Sequence, residues 1–335
     1  MPRPTTSGSS VKRTFSCLVR FSKGWRRALP ISAPGAQTHV ALSPAVFVTG
    51  KGGVGKTTVA AGLALAAAET EGEAVFVEFG DGAGARRVLR NRPSGLEHVV
   101  LDPSHAVARA AAPVFGSATL AKLALDNFAM RPLIRAAPAV RELGVLELAR
   151  QVVEEHPGKR VVFDMPASGH SVAWLKVARQ GRELTGRGPV HDLCARLEAE
   201  LISPGRASIV VVTLPERLVL WETLTLCETI EKEVGLSVDR LVVNRVPQAP
   251  PENALNDAVS LSKNEGKIAQ AAQKLVELLS IRDLVRKQVM QALDETVHRY
   301  GEEKGGDSGL TLLPLASTDP QARTVAGWLR SQGAA

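Results

Sequence analysis

Short apolar runs recur along this chain, and longer stretches with helical spacing separate them. Ala45–Thr49 is a compact apolar run of the kind expected for a strand buried on both faces. Thr57–Glu71 reads as a helix, rich in Ala, with Val59, Leu63 and Ala66 on one side. Ala74–Phe79 is a second strand, and Val161–Asp164, Ser208–Thr213, Arg240–Asn244 and Leu310–Leu315 are further candidates. Strands alternating with helical stretches predict an α/β fold: a doubly wound, mainly parallel sheet with helices on both faces.

Three stretches interrupt the alternation. Residues 105–158 are rich in Ala, Leu and Val with a helical period, broken by Pro113, Pro132, Pro138 and Gly144. Residues 171–205 also read as helical. Ser262–Tyr300 carries Ile268, Ala272, Leu275 and Leu279, then Val285, Val289 and Leu293, at helical spacing, and packing against the sheet is the expected use of that stripe. No internal repeat is evident.

Length and composition add bounds. With 335 residues, 44% hydrophobic and 22% charged, the chain has the composition of an ordinary globular protein, and no apolar run approaches the ~18 residues needed to span a bilayer. The net charge of +7 resides entirely in residues 1–44. That segment holds Arg3, Lys12, Arg13, Arg20, Lys23, Arg26 and Arg27 and no acid, while the remaining 34 basic residues balance 34 acidic ones. A neutral body gives no electrostatic reason to expect nucleic acid as a partner. Residues 1–44 read first as a disordered extension or an upstream-called start. An Arg- and Ser-rich targeting peptide is a second reading. A surface-binding amphipathic helix over Phe15–Leu29 is a third, so peripheral membrane contact stays open. The expected organisation is this extension followed by one domain over 45–335, with helical insertions near 105–158 and 171–205. Cys17, Cys194 and Cys227 are odd in number and lack metal-ligand spacing, which points to a reducing, cytoplasmic setting.

The strongest chemical signal is Gly50-Lys51-Gly52-Gly53-Val54-Gly55-Lys56-Thr57-Thr58, between a predicted strand and a predicted helix. Gly50, four residues, then Gly55-Lys56-Thr57 is the Walker A spacing of a P-loop. Glycines let successive backbone N–H groups surround phosphate oxygens, and the helix behind adds its positive end. Lys56 is placed to neutralise the β- and γ-phosphates of ATP, and the Thr57 hydroxyl to ligate Mg²⁺. Val161-Val162-Phe163-Asp164 has the Walker B form, an apolar strand ending in a carboxylate suited to Mg²⁺.

Lys51, directly after the first glycine, makes the loop resemble the deviant Walker A branch of P-loop proteins. Asp164-Met165-Pro166-Ala167-Ser168-Gly169-His170 resembles the switch II motif D-T-A-P-T-G-H of the ArsA-like family of arsenite-pump and guided-entry ATPases. Val99–Pro103, Val212–Glu216 with Glu222-Thr223, and Leu241–Val246 resemble that family's "EIDP", V-T-L-P-E…E-T and V-V-N-R/Q segments. The resemblance is colinear from about Ala45 to Leu315. It implies a homodimer closed around ATP, with Lys51 reaching the partner's nucleotide, and a client or partner protein driven by hydrolysis. It also implies that Gly169 offers its backbone N–H near the γ-phosphate, and that Asn244, with Pro314 nearby, meets the adenine.

The departures are specific. The family's switch I reads T-D-P-A-x-x-L, and its Asp positions the attacking water. Here Val77-Glu78-Phe79-Gly80-Asp81-Gly82 puts Gly80 at that position and Asp81 one residue late. Asp81 is the candidate for the role, provided the loop is remodelled. There is no C-x-x-C zinc pair, no cysteine cluster for arsenite, and only four Met for a client groove. The expected activity is Mg-ATP hydrolysis to ADP and phosphate. A nucleotide-binding switch with little turnover and a partition-type ATPase acting on DNA or membrane are the alternatives.

Overall fold

A computed structural model describes residues 42–89, 93–103, 106, 138–251, 253–304 and 309–334. The expectations for residues 1–41 and for most of 105–137 therefore lie outside the described residues. Seven strands form one sheet: β1 (Ala45–Gly50), β2 (Ala74–Phe79), β3 (Leu96–Leu101), β4 (Arg160–Asp164), β5 (Ala207–Thr213), β6 (Val238–Val246) and β7 (Gly309–Pro314). Their spatial order is β3-β2-β4-β1-β5-β6-β7, and every neighbouring pair is parallel. The expectation of a mainly parallel sheet thus becomes an all-parallel one with a P-loop NTPase-like layout.

A parallel sheet must be covered on both faces, because its crossovers lie there. Along β1 successive side chains alternate between two layers. Val46 and Val48 join Phe76, Val162 and Val210 under helices α1 (Lys56–Glu71) and α9 (Ala322–Ser331). Phe47 joins Val75, Phe163 and Ile209 on the other face, beneath α3 (Pro138–Glu155), α4 (Ser168–Thr185), α5 (Pro189–Glu200) and α6 (Arg217–Thr229). The Phe47 and Phe163 rings, paired in register on β1 and β4, stack at 4.8 Å. Fully burying one such side chain contributes about 1.5–3 kcal/mol.

The Ala-rich sequence of α1 brings it close to both the sheet and α9. A Cβ on Gly62 would stand 2.6 Å from Val325 Cγ1. On the opposite face, Cys194 lies buried against Gly181, and burial pushes its thiol pKa up, as for a packing residue.

Two readings need correction. β3 is a full strand, although only its end, Val99–Leu101, stood out in the sequence. It is an edge strand, so Glu97 and Val100 are exposed and the apolar run is interrupted. The helical spacing read from Ile268 to Leu293 falls on one continuous helix, but most of that helix does not pack on the sheet. Helix α7 (Ala254–Ser262) ends at Ser262, and α8 (Lys267–Lys304) starts after Gly266, whose φ is 90°. Ala269 and Ala272 of α8 are buried, but Ile268, Leu275, Leu278 and Leu284 are exposed. Only its far end, at Ala292 and Leu293, meets the cluster of Leu220 on α6 with Val243 and Val246 on β6.

The chain leaves β1 toward β2 on one side, and leaves β4 toward β5 on the other. Open α/β sheets bind ligands at such a reversal, outside the carboxyl ends of the strands. The Gly50–Thr58 loop and Asp164 both lie there.

Candidate functional site

The loop leaves β1 at Gly50 and enters α1 at Lys56 with no side-chain cap on the helix N-terminus. Uncapped N–H groups and the positive helix end face whatever occupies the loop. Gly55, just before the helix, has φ of 94°, a left-handed conformation that disfavours any side chain. A Cβ there would also stand 2.5 Å from Asn244 Nδ2. Asn244 is buried at the end of β6, and its Nδ2 donates to Val54 O at 2.9 Å. Its Oδ1 accepts from the Arg245 N–H at 2.9 Å. One side chain thus fastens the loop to β6, which β5 separates from β1.

Lys56 Nζ donates to the carbonyl oxygen of Lys51 at 3.0 Å, spanning the loop. Partial burial pulls its pKa down, and the nearby Asp164 opposes that shift. Thr57 Oγ1 donates to Asp164 Oδ2 at 2.6 Å. Asp164 is pushed up to about 6, first by burial; Glu78 adds to the rise, while Thr57, Lys56 and Arg87 oppose it. Its other oxygen, Oδ1, is buried with no hydrogen-bond partner among the described residues.

A divalent cation fits this arrangement. The Thr57 hydroxyl spends its proton on Asp164 and keeps lone pairs free. The orphaned Oδ1 is a hard oxygen donor whose negative charge needs a counter-charge. Mg²⁺ characteristically takes one or two protein oxygens and completes its shell with water and phosphate. Among the described residues no cluster of three or more His, Cys, Asp or Glu is placed to hold a metal ion.

Beside the loop lies a cleft of about 490 Å³. The loop side is Gly53, Gly55, Lys56, Thr57 and Thr58. Asn244, Arg245 and the segment Pro314–Gln321 after β7 form another wall, and Arg87 and Val88 of α2 (Ala83–Val88) a third. Arg245 adopts φ of 60°, the one non-glycine residue with positive φ among the described residues.

Comparison with known proteins agrees with this geometry. Residues 44–187 match the family model of anion-transporting ATPases. The chain is 26% identical over 249 residues to the ATPase BagA of Mycobacterium tuberculosis, covering 67% of this chain and 68% of that protein. It is 26% identical over 254 residues to the ATPase GET3 of Kluyveromyces lactis, covering 60% of this chain and 71% of that protein. Over residues 44–187 the chain is ArsA-like in sequence.

The structure brings together most of the residues singled out in the sequence. Gly50–Thr58, Asp164, Asn244 and Pro314 converge at one end of the sheet. Gly169 lies exposed in the first turn of α4, just beyond Asp164. That helix is tied to β1 by a buried contact of 2.5 Å between Thr49 Oγ1 and Ser171 Oγ. Lys51 does not face Lys56 or Asp164: its Nζ pairs with Glu222 of α6 at the surface.

Asp81 is not brought into the cluster. Its Oδ1 accepts from the Ala83 N–H at 3.0 Å, closing a turn before α2, and its backbone oxygen accepts from Arg86 Nη1 at 2.9 Å. The carboxylate beside Asp164 is instead Glu78, its register partner on β2 and hence a neighbour on the same face of the sheet. Glu78 accepts from the Gly84 and Ala85 N–H groups at 2.7 and 2.9 Å, which anchors α2 to the end of β2. Gly80 has φ of 117°, so an Asp at that position would be strained in this loop. Glu78, Arg87, Arg245 and residues 315–321 were not selected as site residues from the sequence. The alternating carboxylate at the end of an otherwise buried strand was the one available sign for Glu78.

Proposed function

We propose that this chain is an Mg-ATP-dependent ATPase that works as a homodimer and couples nucleotide turnover to a client or partner protein. The observation that carries the reading is the Thr57–Asp164 pair, with its orphaned buried oxygen, beside Lys56 and the uncapped start of α1. Thr57 and Asp164 would hold Mg²⁺, which supplies charge neutralisation for the phosphates. Lys56 is placed to leave the Lys51 carbonyl for phosphate oxygens, and the loop amides and helix end to stabilise the charge on the transferring group. Lys51 reaches the nucleotide of the second copy after release from Glu222. Asn244 and Pro314 lie on the wall suited to adenine. The cycle is taken to run in the cytoplasm; among the described residues no helix is long and apolar enough to cross a membrane.

A second reading is favoured by one observation. With Gly80 in a glycine-only conformation and Asp81 engaged in a turn, no carboxylate from this loop is aimed at the cleft. Such a protein binds Mg-ATP and switches on it with little hydrolysis. Phosphate release measured for the wild type, Lys51→Ala, Lys56→Ala and Asp81→Asn decides between them. Turnover that requires both lysines supports the ATPase; turnover lowered in Asp81→Asn assigns the water to Asp81. Tight binding without turnover supports the switch, and wild-type phosphate release in Lys56→Ala overturns the ATPase reading.

A further inference from the structure

Arg87 stands on the wall of the cleft and has no part in the site as read so far. It belongs to α2, which packs against α1 through Ala85 and Val88. Gly84, three residues earlier and so on the same face of the helix, lies against the first turn of α1: a Cβ there would stand 2.8 Å from Thr57 Cγ2. One turn on, Arg87 and Val88 line the cleft together with Thr58 and Val59. The Arg87 charge acts on Asp164, where it favours the ionised carboxylate. Its neighbour Arg86 is engaged by the Asp81 carbonyl, whereas no hydrogen bond or ion pair with another described residue engages Arg87.

A guanidinium with its donors open to a cleft is built for oxyanions, and for phosphate above all, because its planar fork meets two oxygens at once. Its place beside Thr58 and Val59 also indicates which phosphates. In a loop of this kind the lysine serves the β- and γ-phosphates, while the backbone N–H groups cradle the α- and β-phosphates. Arg87 therefore faces the part of the nucleotide that ADP and ATP share.

Resting on the nucleotide reading above, we propose that Arg87 is a positioning residue for the α,β-diphosphate. It ties α2, and with it the Gly80–Gly82 loop, to a bound nucleotide whether or not the γ-phosphate is present. The site would then hold ADP firmly after hydrolysis, and exchange of ADP would require α2 to let go.

The test is equilibrium binding of fluorescent ADP and ATP, with Mg²⁺, to the full chain and to Arg87→Ala, Arg87→Lys and Lys56→Ala, at low and moderate salt. Arg87→Ala is expected to weaken ADP and ATP by the same factor, about 5- to 30-fold for a half-screened charged contact. The loss should shrink at higher salt, and Arg87→Lys should recover part of the affinity. The melting temperature without nucleotide should stay at the wild-type value, which separates this role from a structural one. Wild-type binding with equal ADP affinity in Arg87→Ala overturns the proposal and leaves the nucleotide reading intact. A loss confined to ATP also overturns it, because the contact would then lie at the γ-phosphate. If the wild type binds neither nucleotide, the nucleotide reading itself fails, and this proposal with it.

Discussion

Asp164→Asn measures what burial costs the carboxylate assigned to the metal. The Asp164 carboxyl rises from an ordinary 3.8 to about 6, chiefly because burial disfavours its charged form. At about 1.4 kcal/mol per unit, keeping it ionised costs the native state about 3 kcal/mol. Asparagine keeps an acceptor for Thr57 Oγ1 and carries no charge. Without metal or nucleotide at pH 7.5, the variant should therefore be more stable than the wild type by about 1–3 kcal/mol, or several degrees in Tm. Linkage fixes the pH profile. A raised carboxyl pKa means that the native state binds the extra proton between about pH 4 and pH 6. The stability this group contributes to the wild type is thus present at low pH and lost as pH rises through about 6. The gap between variant and wild type should shrink by about 1.4 kcal/mol on going from pH 7.5 to pH 5. Denaturant unfolding followed by circular dichroism at both pH values, in chelator, measures it. Mg-ATP should then stabilise the wild type and not the variant, since the cation requires the ionised oxygen. A variant less stable than the wild type at pH 7.5, or a gap that ignores pH, refutes the reasoning.

Three substitutions probe the frame around the site. Gly55→Ala meets both a φ of 94° and the Asn244 amide at 2.5 Å; it should lose about 1–3 kcal/mol and most nucleotide binding, and an unchanged Tm would contradict this. Gly62→Ala drives a methyl to 2.6 Å from Val325 Cγ1 at the α1–α9 contact. It should cost about 1–3 kcal/mol in urea unfolding, while a neutral effect would mean that α9 yields freely. Gly80→Asp restores the acid at the family's position but in a backbone with φ of 117°. It should lose about 1–2 kcal/mol without raising phosphate release, and higher turnover at full stability would contradict the loop geometry.

Much of the fold was legible because central parallel strands have to be apolar throughout. β1, β2 and β5 are such runs, and they stood out for that reason. β3 lies at the sheet edge, where Glu97 and Val100 meet solvent, and the same criterion passes over it. The break before α8 follows from Gly266, a residue that interrupts no apolar stripe. In the site, the loop lysines, Thr57 and Asp164 were legible because phosphate and Mg²⁺ chemistry demands fixed spacing. Asn244 carried a family expectation of a base contact, yet its tether to Val54 is a tertiary contact that no local pattern encodes. The same holds for Glu78, which anchors α2 from an adjacent strand, and for the Lys51–Glu222 pair across 171 positions. Arg87 was hidden because one of two adjacent Arg residues on a short helix looks like any solvated residue until the helix is placed beside the loop.

The most direct test of the nucleotide site is calorimetric titration of ATP into the full chain, with and without Mg²⁺, for the wild type and Lys56→Ala. The expected result is saturable binding that requires Mg²⁺ and weakens by about tenfold or more when Lys56 is removed. Absence of binding to the wild type, or superimposable isotherms for the two proteins, would contradict the assignment of the cleft beside Gly50–Thr58 to Mg-ATP.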